Sequence, residues 1–470
     1  MASPGGTMKS KLIEHVADLS MPVDYQEVLA RDDQSSIPPD MREHFPAGKY
    51  CMEVDRATYL CADFHRLEME RMWSRVWQMA AREEQIPEVG DLTLYEIGEL
   101  SFIIVRNEAM QIKAYYNSCR HRGRRLCSGD SSVRELRCPY HGFAWDLDGT
   151  LKRIPASWDF DHLDWEGRRL LEVKVDTWGG FIFINMDTAC QPLSDYMESL
   201  PSELAINRYE GKYIAGHSQH ILPANWKNVM ESFMEGLHAP ETHGHTWAHL
   251  SDTLQYDVRP DERHVSRSFH AVGLSVREDH ESLSEQAIMD QFHRNVLNGK
   301  SGPGAPHLQA GMTARRYMAS VMRLQYGLTS GRDVSELSDA EAVDVLQYSL
   351  FPNMIFFRGI SLPPVLRFRP NHNDHNSCIF DLFYLVDIPR GAQRPEPAAT
   401  VHMGPDDTYE HAGVLPDWLG YVYDQDMDNI KNMREGLQAL SNDPLVLSDL
   451  HESRIRHFHN TLMHYLGARD

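Results

Sequence analysis

Two cysteine–histidine pairs constrain this chain more than any other feature. They lie in the stretch CRHRGRRLCSGDSSVRELRCPYHG, residues 119–142, as Cys119 with His121 and Cys138 with His141. A glycine follows each pair, which suits a loop tip where the chain reverses direction. Each tight turn therefore delivers one thiolate and one imidazole, a combination of ligands typical of transition metals.

Two kinds of metal centre fit these four ligands. They could hold a tetrahedral zinc ion. They could also hold a [2Fe–2S] cluster with both thiolates on one iron and both imidazoles on the other, which is the Rieske arrangement. Chance clustering of buried cysteines and surface histidines is disfavoured because two matched short spacings rarely arise together. Cys127 matches neither spacing, and we expect a packed thiol there.

The periodicity of the sequence predicts an α+β fold in three parts. Residues 1–75 form an N-terminal segment with helical spacing toward its end. Residues 76–185 hold short β-like runs divided by turns, one of them at Asp148 and Gly149, and predict a small all-β domain. Residues 186–470 predict a larger domain with a central antiparallel sheet flanked by helices, and residues 284–340 resemble a loop-and-helix insertion in it.

The composition disfavours several classes of partner. The formal net charge of −22 makes nucleic acid and anionic membranes unsuitable partners because like charges repel. No apolar run approaches the length of a membrane span, and MASPGGTMKSKL lacks the apolar core of a signal peptide. Together with seven scattered cysteines, these features predict a protein of the reducing cytoplasm.

A second group of metal ligands is predicted in the segment NWKNVMESFMEGLHAPETH. Helical spacing places Glu231, Glu235 and His238 along one face. Pro240 is predicted to end the helix, so that His243 folds back beside His238 and both imidazoles face one ion. The apolar stripe of this helix consists of Trp226, Val229, Met230, Phe233 and Leu237.

Two histidines and one carboxylate form the facial triad of non-heme iron(II) enzymes, so a third ligand must lie elsewhere. Asp426 is the predicted ligand because it lies within the apolar stripe of a late helix, where an unpaired carboxylate is costly. Asp424 and Asp428 project to other faces, and His245 and His249 are alternatives to the second histidine. The stripe comprises Leu419, Val422, Ile430, Met433, Leu437 and Leu440.

These motifs resemble those of the Rieske-type aromatic-ring-hydroxylating oxygenases, large subunit. The similar segments include CRHRG…CPYHGFAWDLDGTL and NWKNVMESF, and the resemblance extends from about residue 50 to the C-terminus. It implies a Rieske [2Fe–2S] domain and a catalytic mononuclear iron domain. The implied cluster ligands are Cys119, His121, Cys138 and His141, and the implied Fe(II) ligands are His238, His243 and Asp426.

Two positions depart from the family pattern. The acid before the first histidine is usually Asp and is Glu235 here; in the family it links the cluster of one subunit to the iron of its neighbour. The Asn usual after the first Glu of the helix is replaced by Ser232. Both residues are therefore expected in the catalytic site, with an altered electron route.

The resemblance implies an oxygenase component that uses O2 to hydroxylate an aromatic or polycyclic apolar substrate. The chain lacks a dinucleotide fingerprint and a ferredoxin cysteine run, so NAD(P)H would act only through a separate reductase, with or without a ferredoxin. A homotrimer, α3 or with a small second subunit α3β3, is implied as well. Monohydroxylation, dihydroxylation and oxidative O- or N-demethylation all use this apparatus. Candidate pocket residues are Met312, Met318, Met322, Phe356 and Phe357.

The arginines around the first site are compatible with two roles. They form either a solvated cationic face or a patch that attracts an acidic electron donor. The set comprises Arg120, Arg122, Arg124, Arg125, Arg134 and Arg137.

The sequence is also compatible with three rival functions. The chain could be a zinc-stabilised binding or scaffold protein, an electron carrier with an inert large domain, or a reductive or hydrolytic enzyme that uses the mononuclear metal. The colour of the protein tests the first. A His238→Ala variant tests the second, and oxygen consumption during turnover tests the third.

Overall fold

The computed structural model describes residues 23–162, 164, 166–243, 253–274, 283–294, 306–441 and 444–467. A small all-β unit packs against a larger unit in which helices flank a central sheet, so the predicted fold class is confirmed. Within the described residues, every helix is too short or too polar to cross a membrane.

Three antiparallel sheets make up the smaller unit. Between two of the short strands, Gly149 has a φ of +84° and its N–H donates to the carbonyl of Asp146, which is the predicted tight turn. The sheets are Gln78–Arg82 with Phe181–Asn185 and Lys174–Trp178; Ile112–Tyr116 with Leu100–Arg106, Asp91–Ile97 and Ser131–Ser132; and Leu136–Arg137 with Ala144–Trp145 and Leu151–Arg153.

The larger unit is built on one nine-stranded sheet. Its inner strands are antiparallel as predicted, but both edge strands pair in parallel with their neighbours, so the sheet is mixed. The order across it is Val23–Asp24, Thr253–Asp257, Val265–His270, Val345–Leu350, Met354–Phe357, Pro364–Asn371, Asp374–Asp387, Lys212–Leu222 and Thr400–Met403. A separate ribbon joins Glu53–Val54 to Leu445–Val446.

The helices surround this sheet. The long helix and the C-terminal helix predicted from the sequence are present as Asp417–Ala439 and Ser453–Leu466, and the insertion contributes Glu285–Phe292 and Ala314–Ser330. The remaining α-helices are Tyr25–Leu29, Ala57–Leu60, Ala62–Glu68, Leu193–Tyr196, Leu200–Glu203, Trp226–Glu231, Ala239–His243, Asp339–Val343 and Tyr409–Ala412. One π-helical turn spans Met69–Trp73.

A buried charge network joins the two units. Asp381 is wholly buried and accepts hydrogen bonds from the guanidinium groups of Arg367 and Arg369, at 3.0 Å and 3.1 Å. Arg367 also donates to the carbonyl of Met79, and Arg369 to the carbonyl of Glu96, both in the smaller unit. Although burial opposes its charge, the two arginines hold the pKa of Asp381 well below the usual range. The network therefore fixes the smaller unit against the sheet through one ionised carboxylate.

An Asp381→Asn variant is expected to lose about 3–5 kcal/mol of unfolding free energy because two buried guanidinium groups lose their counter-charge. The depressed pKa adds a pH signature. The contribution of the carboxylate is complete above the pKa of an unfolded Asp, about 3.9, and is lost as the pH falls through the folded value. Urea denaturation measures both effects. The exposed Asp261→Asn control should change stability by no more than about 0.5 kcal/mol, and equal stabilities for the two variants would contradict the account.

Candidate metal centres

The two cysteine–histidine loops have the same backbone geometry. The N–H of Cys119 donates to the carbonyl of Arg124, and the N–H of Cys138 donates to the carbonyl of Phe143, five residues on in each case. Gly123 and Gly142 close the loops with φ values of +75° and +78°, a conformation that favours glycine. The structure thus presents the two pairs as matched loop tips.

The side chains of the two loops converge. Cys119 lies close enough to Cys138 for the second thiol to raise the pKa of the first, and both cysteines are buried and free of any disulfide. The imidazole rings of His121 and His141 are 4.8 Å apart. Cys127 is half-buried beside the same small core, as expected for a packed thiol.

These donors fit a metal cluster. His121 has a buried Nδ1 with no hydrogen-bond partner among the described residues, and burial lowers its pKa, which favours the neutral form that binds metal. Burial raises the pKa of the Cys119 thiol, so a thiolate there needs a cation beside it. His141 is exposed, which places one edge of the site at the surface, where a redox partner can approach.

Five of the six arginines around this site are exposed, and Arg120 is half-buried. They differ in how far their charge is already neutralised. Arg125 forms an ion pair with Glu96, whereas the one hydrogen bond that Arg124 makes among the described residues goes to the backbone carbonyl of Arg125. Arg122 stacks over the ring of Tyr140. Among the described residues no carboxylate pairs with Arg124, so its positive charge faces solvent.

A second cluster of ligands lies in the larger unit. One nitrogen each from His238 and His243 and one oxygen from Asp426 lie within 4.8 Å of one another. The Oδ1 of Asp426 is 3.1 Å from Nε2 of His243 and 3.5 Å from Nε2 of His238. Two imidazoles and one carboxylate converging on a point are the donor set of a facial triad.

The backbone that carries the histidines differs from the sequence prediction. The first helix ends at Glu231, an irregular turn follows, and a second short helix runs Ala239–His243. Pro240 thus lies in the first turn of this second helix and does not end the first one, which agrees with the preference of proline for helix starts. The turn also leaves Leu237 49% exposed, so the predicted apolar stripe stops before it.

Hydrogen bonds to their second ring nitrogens orient both histidines. Nδ1 of His238 lies 2.5 Å from Oε1 of Glu235, and Nδ1 of His243 lies 3.0 Å from Oε1 of Gln425. Gln425 also donates to the carbonyl of Thr242, which ties the long helix to the short one. Both Nε2 atoms are thereby directed at Asp426. Sequence reasoning missed Gln425 because a polar residue next to a buried aspartate on a helix carries no distinctive spacing.

The charges of the triad are strongly coupled. Burial alone would lower the pKa of His238, but its hydrogen bonds to Asp426 and Glu235 raise it to about 10. Burial likewise opposes ionisation of Asp426, and the two histidines lower its pKa. The protons held between these groups occupy the place that a divalent metal would take, because a metal binds the same lone pairs.

His238 and Asp426 of the triad lie in the wall between two cavities. On one side is a surface groove of about 720 Å³, and on the other an apolar cavity of about 210 Å³. Ser232, Glu235, His238 and Asp426 border both. The hydroxyl of Ser232 donates to the backbone carbonyl of Asn228, so this residue caps the first helix from within the wall.

The other predicted site residues divide between cavity, core and surface. Met318, Met322 and Phe357 line the apolar cavity. Phe356 does not; it packs against Trp178 and Phe181 of the smaller unit. Met312 is half-buried and does not line the cavity, and Met433 of the late helix is 38% exposed and borders the groove instead of the core. His245 and His249 lie outside the described residues.

Comparison with known protein families explains this arrangement. A model of the Rieske [2Fe–2S] domain matches residues 76–163, and a model of the ring hydroxylating alpha subunit (catalytic domain) matches residues 205–468. The chain belongs to the ring hydroxylating alpha subunit family. The family consists of Rieske non-heme iron oxygenases. The two matches confirm the predicted cofactors, a [2Fe–2S] cluster and a mononuclear iron, and they favour the cluster over zinc at the first site.

Individual relatives of this alpha subunit include both dioxygenases and a monooxygenase. Biphenyl dioxygenase subunit alpha from Metapseudomonas furukawaii is 30% identical over 217 residues, 43% of this chain and 46% of the relative. The carnitine monooxygenase oxygenase subunit of Escherichia coli is 29% identical over 193 residues, 40% of this chain and 50% of the relative. The chain thus matches about half the length of these curated relatives.

Solved structures share the fold over most of the chain. A quaternary ammonium Rieske monooxygenase superposes with a TM-score of 0.63 at 16% identity, covering 88% of this chain and 96% of that one. Naphthalene 1,2-dioxygenase with indole bound in the active site gives 0.62 at 18% identity, covering 89% and 93%. At these identities the likeness concerns the fold.

Proposed function

We propose that this alpha subunit is the oxygenase component of a system that hydroxylates an aromatic or polycyclic apolar compound with O2 and electrons from a separate reductase. The observation that carries the proposal is the position of the triad: all three ligands line an apolar cavity, and His238 and Asp426 also border a surface groove. Substrate from the cavity and electrons from the groove can therefore both reach His238 and Asp426.

His238, His243 and Asp426 would hold the mononuclear iron, and Cys119, His121, Cys138 and His141 would hold the cluster. When bound, the cluster relays electrons and the iron activates dioxygen. Glu235 and Gln425 hold the two imidazole rings in a fixed orientation by accepting hydrogen bonds from their Nδ1 atoms. The apolar lining removes water from the substrate and positions it beside the triad.

The size of the cavity suits a compact substrate. An apolar cavity of about 150 Å³ accommodates a benzene molecule, and the cavity here measures about 210 Å³. One ring with substituents, or two small fused rings, would fill it without rearrangement. Larger polycyclic compounds would require side chains such as Met318 and Met322 to move, which unbranched methionines do readily.

Oxygen uptake tests the proposal. Purified protein, loaded with iron and cluster and supplied with a reductase, would be screened against aromatic acids, fused-ring hydrocarbons, steroids and quaternary amines. We expect substrate-dependent oxygen consumption with at least one compact aromatic compound and incorporation of oxygen from labelled O2 into the product. Absence of oxygen uptake with every class would overturn the proposal.

A second candidate is oxidative demethylation of a quaternary ammonium compound. Aromatic rings can bind such a cation through their faces, and the cavity wall carries several, namely Phe233, Phe292, Phe357, Trp418 and Tyr423. The similarity to a carnitine monooxygenase oxygenase subunit points the same way. Release of formaldehyde from a trimethylammonium compound, with matching oxygen uptake, would favour this reaction over ring hydroxylation.

The electron donor is proposed to be an acidic protein that docks on the arginine-bearing face of the smaller unit. An Arg124→Glu variant is expected to slow the second-order reduction of the cluster by about two- to tenfold at low salt, with a smaller difference at high salt. Stopped-flow absorbance measures this rate. Arg316→Glu, an exposed reversal in the insertion helix, is the matched control. Equal rates for both variants at every salt concentration would reject the docking face.

The chain is further proposed to work as a homotrimer, alone or with a small second subunit. The groove beside the triad would then receive the smaller unit of a neighbouring chain, with Glu235 at the contact. Light scattering of the purified protein would give the mass of the assembly, and a stable monomer with full activity would exclude this arrangement.

A further inference from the structure

One polar side chain stands out in the apolar cavity on the side of the sheet. Besides the triad, its neighbours Ser232 and Glu235, and the aromatic side chains of Trp418 and Tyr423, the polar residues that line the cavity are Gln347 and Ser361. The hydroxyl of Ser361 already donates to the carbonyl of Asp344. Gln347 is buried and lies in the strand Val345–Leu350.

Gln347 belongs to a polar cradle around one buried cation. Arg454 of the C-terminal helix is completely buried and makes five hydrogen bonds, to Oγ of Ser266, Ser268 and Ser349, to the carbonyl of Met234 and to Oε1 of Gln347. Ser266 faces Ser349, and Ser268 faces Gln347, across adjacent antiparallel strands. None of these five oxygens belongs to a carboxylate, so every hydrogen bond that Arg454 makes among the described residues goes to a neutral group.

This contact determines which way the Gln347 amide points. A guanidinium group only donates hydrogen bonds, so the amide oxygen must face Arg454, at 2.7 Å, and the amide nitrogen must face away from it. Among the described residues, the hydrogen bond to Arg454 is the one that the Gln347 side chain makes. Its two N–H donors are therefore available to whatever fills the cavity.

We propose that Gln347, held in place by Arg454, is a specificity-determining residue that donates a hydrogen bond to an acceptor oxygen of the substrate. The preferred substrate is then a compact aromatic compound that carries a carboxylate or carbonyl oxygen on the part facing the sheet. This inference rests on the proposed function for the identity of the site. It adds a preference for a polar substituent on the substrate, which the apolar lining of the cavity does not provide.

The electrostatics of the cradle support this choice of substituent. Among the described residues the guanidinium behind the amide makes no hydrogen bond to a carboxylate, so it polarises Gln347 and strengthens the outward N–H donors. Its field also favours a negative or partially negative atom in this part of the cavity. A hydrocarbon of the same shape would bury the two donors without a partner, which costs binding free energy.

Binding of matched probes tests the inference without turnover. Calorimetry on the holoprotein would compare benzoate and acetophenone with toluene and ethylbenzene. We expect the oxygen-bearing probes to bind at least about tenfold more tightly. Gln347→Glu keeps an acceptor for Arg454 but removes the donors, and Gln347→Met removes both at similar volume. Each variant should lose this preference, and Gln347→Met, which leaves no buried donor, should bind the hydrocarbons at least as tightly as the wild-type protein does.

The outcomes separate this inference from the proposed function. Equal affinity of the wild-type protein for the two probe classes, or equal weakening of both classes in the variants, would overturn the role of Gln347. If only hydrocarbons support oxygen uptake, the inference fails and the proposed function stands. The protein could also prefer the oxygen-bearing probes through Gln347 although no probe supports oxygen uptake. In that case the inference stands, and the proposed function fails for compact aromatic compounds.

Discussion

An Asp426→Ala variant is expected to lose the mononuclear iron and all oxygenation while keeping the absorbance of the cluster. Asp426 is the one carboxylate in the described triad, and its Oδ1 lies within 3.5 Å of both Nε2 atoms. Without it, two imidazoles on adjacent turns cannot hold iron(II) firmly, since the facial triad needs an anionic oxygen ligand. Metal analysis and oxygen uptake measure the two losses, and visible absorbance follows the cluster.

Asp428→Ala is the matched control for this variant. Asp428 lies two residues further along the same helix and is exposed, so its removal changes the charge without touching the triad. We expect its iron content and turnover to match those of the wild-type protein. Retention of iron and of turnover by Asp426→Ala, or equal loss in both variants, would show that the third ligand lies elsewhere.

A Glu235→Gln variant is expected to keep both metal centres and to lose about 10- to 100-fold in turnover. One oxygen of Glu235 accepts the Nδ1 proton of His238, and the other accepts the backbone N–H groups of Leu237 and His238. An amide cannot serve both positions, because its nitrogen would face a donor on one side. His238 would then lose its fixed orientation between the groove and the cavity.

Single-turnover kinetics separate this effect from simple loss of metal. In Glu235→Gln the reduced cluster should be reoxidised slowly even with iron and substrate present, and Glu235→Asp should recover part of the rate because it restores the charge. Glu241→Gln, an exposed change on the second short helix, provides the control. Cluster reoxidation at the wild-type rate in Glu235→Gln would exclude a role for this carboxylate between the centres.

Both groups of metal-ligating residues could be proposed from the sequence because each depends on short-range spacing. The Cys–His pairs occupy single tight turns, and the structure places Cys119 beside Cys138 and His121 beside His141. Asp426 was distinguishable from Asp424 and Asp428 because it alone lies on the apolar stripe of its helix, and it alone of the three is buried. Local patterns of this kind survive folding unchanged.

Features that depend on tertiary contacts escaped sequence reasoning. The first helix ends at Glu231, and the carboxylate of this residue forms hydrogen bonds with Tyr59 and His459, which are remote in sequence. The parallel edge strands of the large sheet likewise join segments far apart in the chain. Gln347 lies in the strand VLQYSL, which is covered on both faces. Apolar and polar residues therefore do not alternate along this strand, and the sequence does not indicate which side chains face the cavity.

The most direct test of the account is metal analysis combined with low-temperature EPR before and after dithionite reduction. Two distinct iron centres predict about three iron atoms and about two acid-labile sulfides per chain, with a rhombic signal that appears on reduction. A chelator should then remove about one iron without changing that signal. Colourless protein that contains zinc and gives no signal after reduction would contradict the claim that this chain relays electrons through one iron centre and activates oxygen at another.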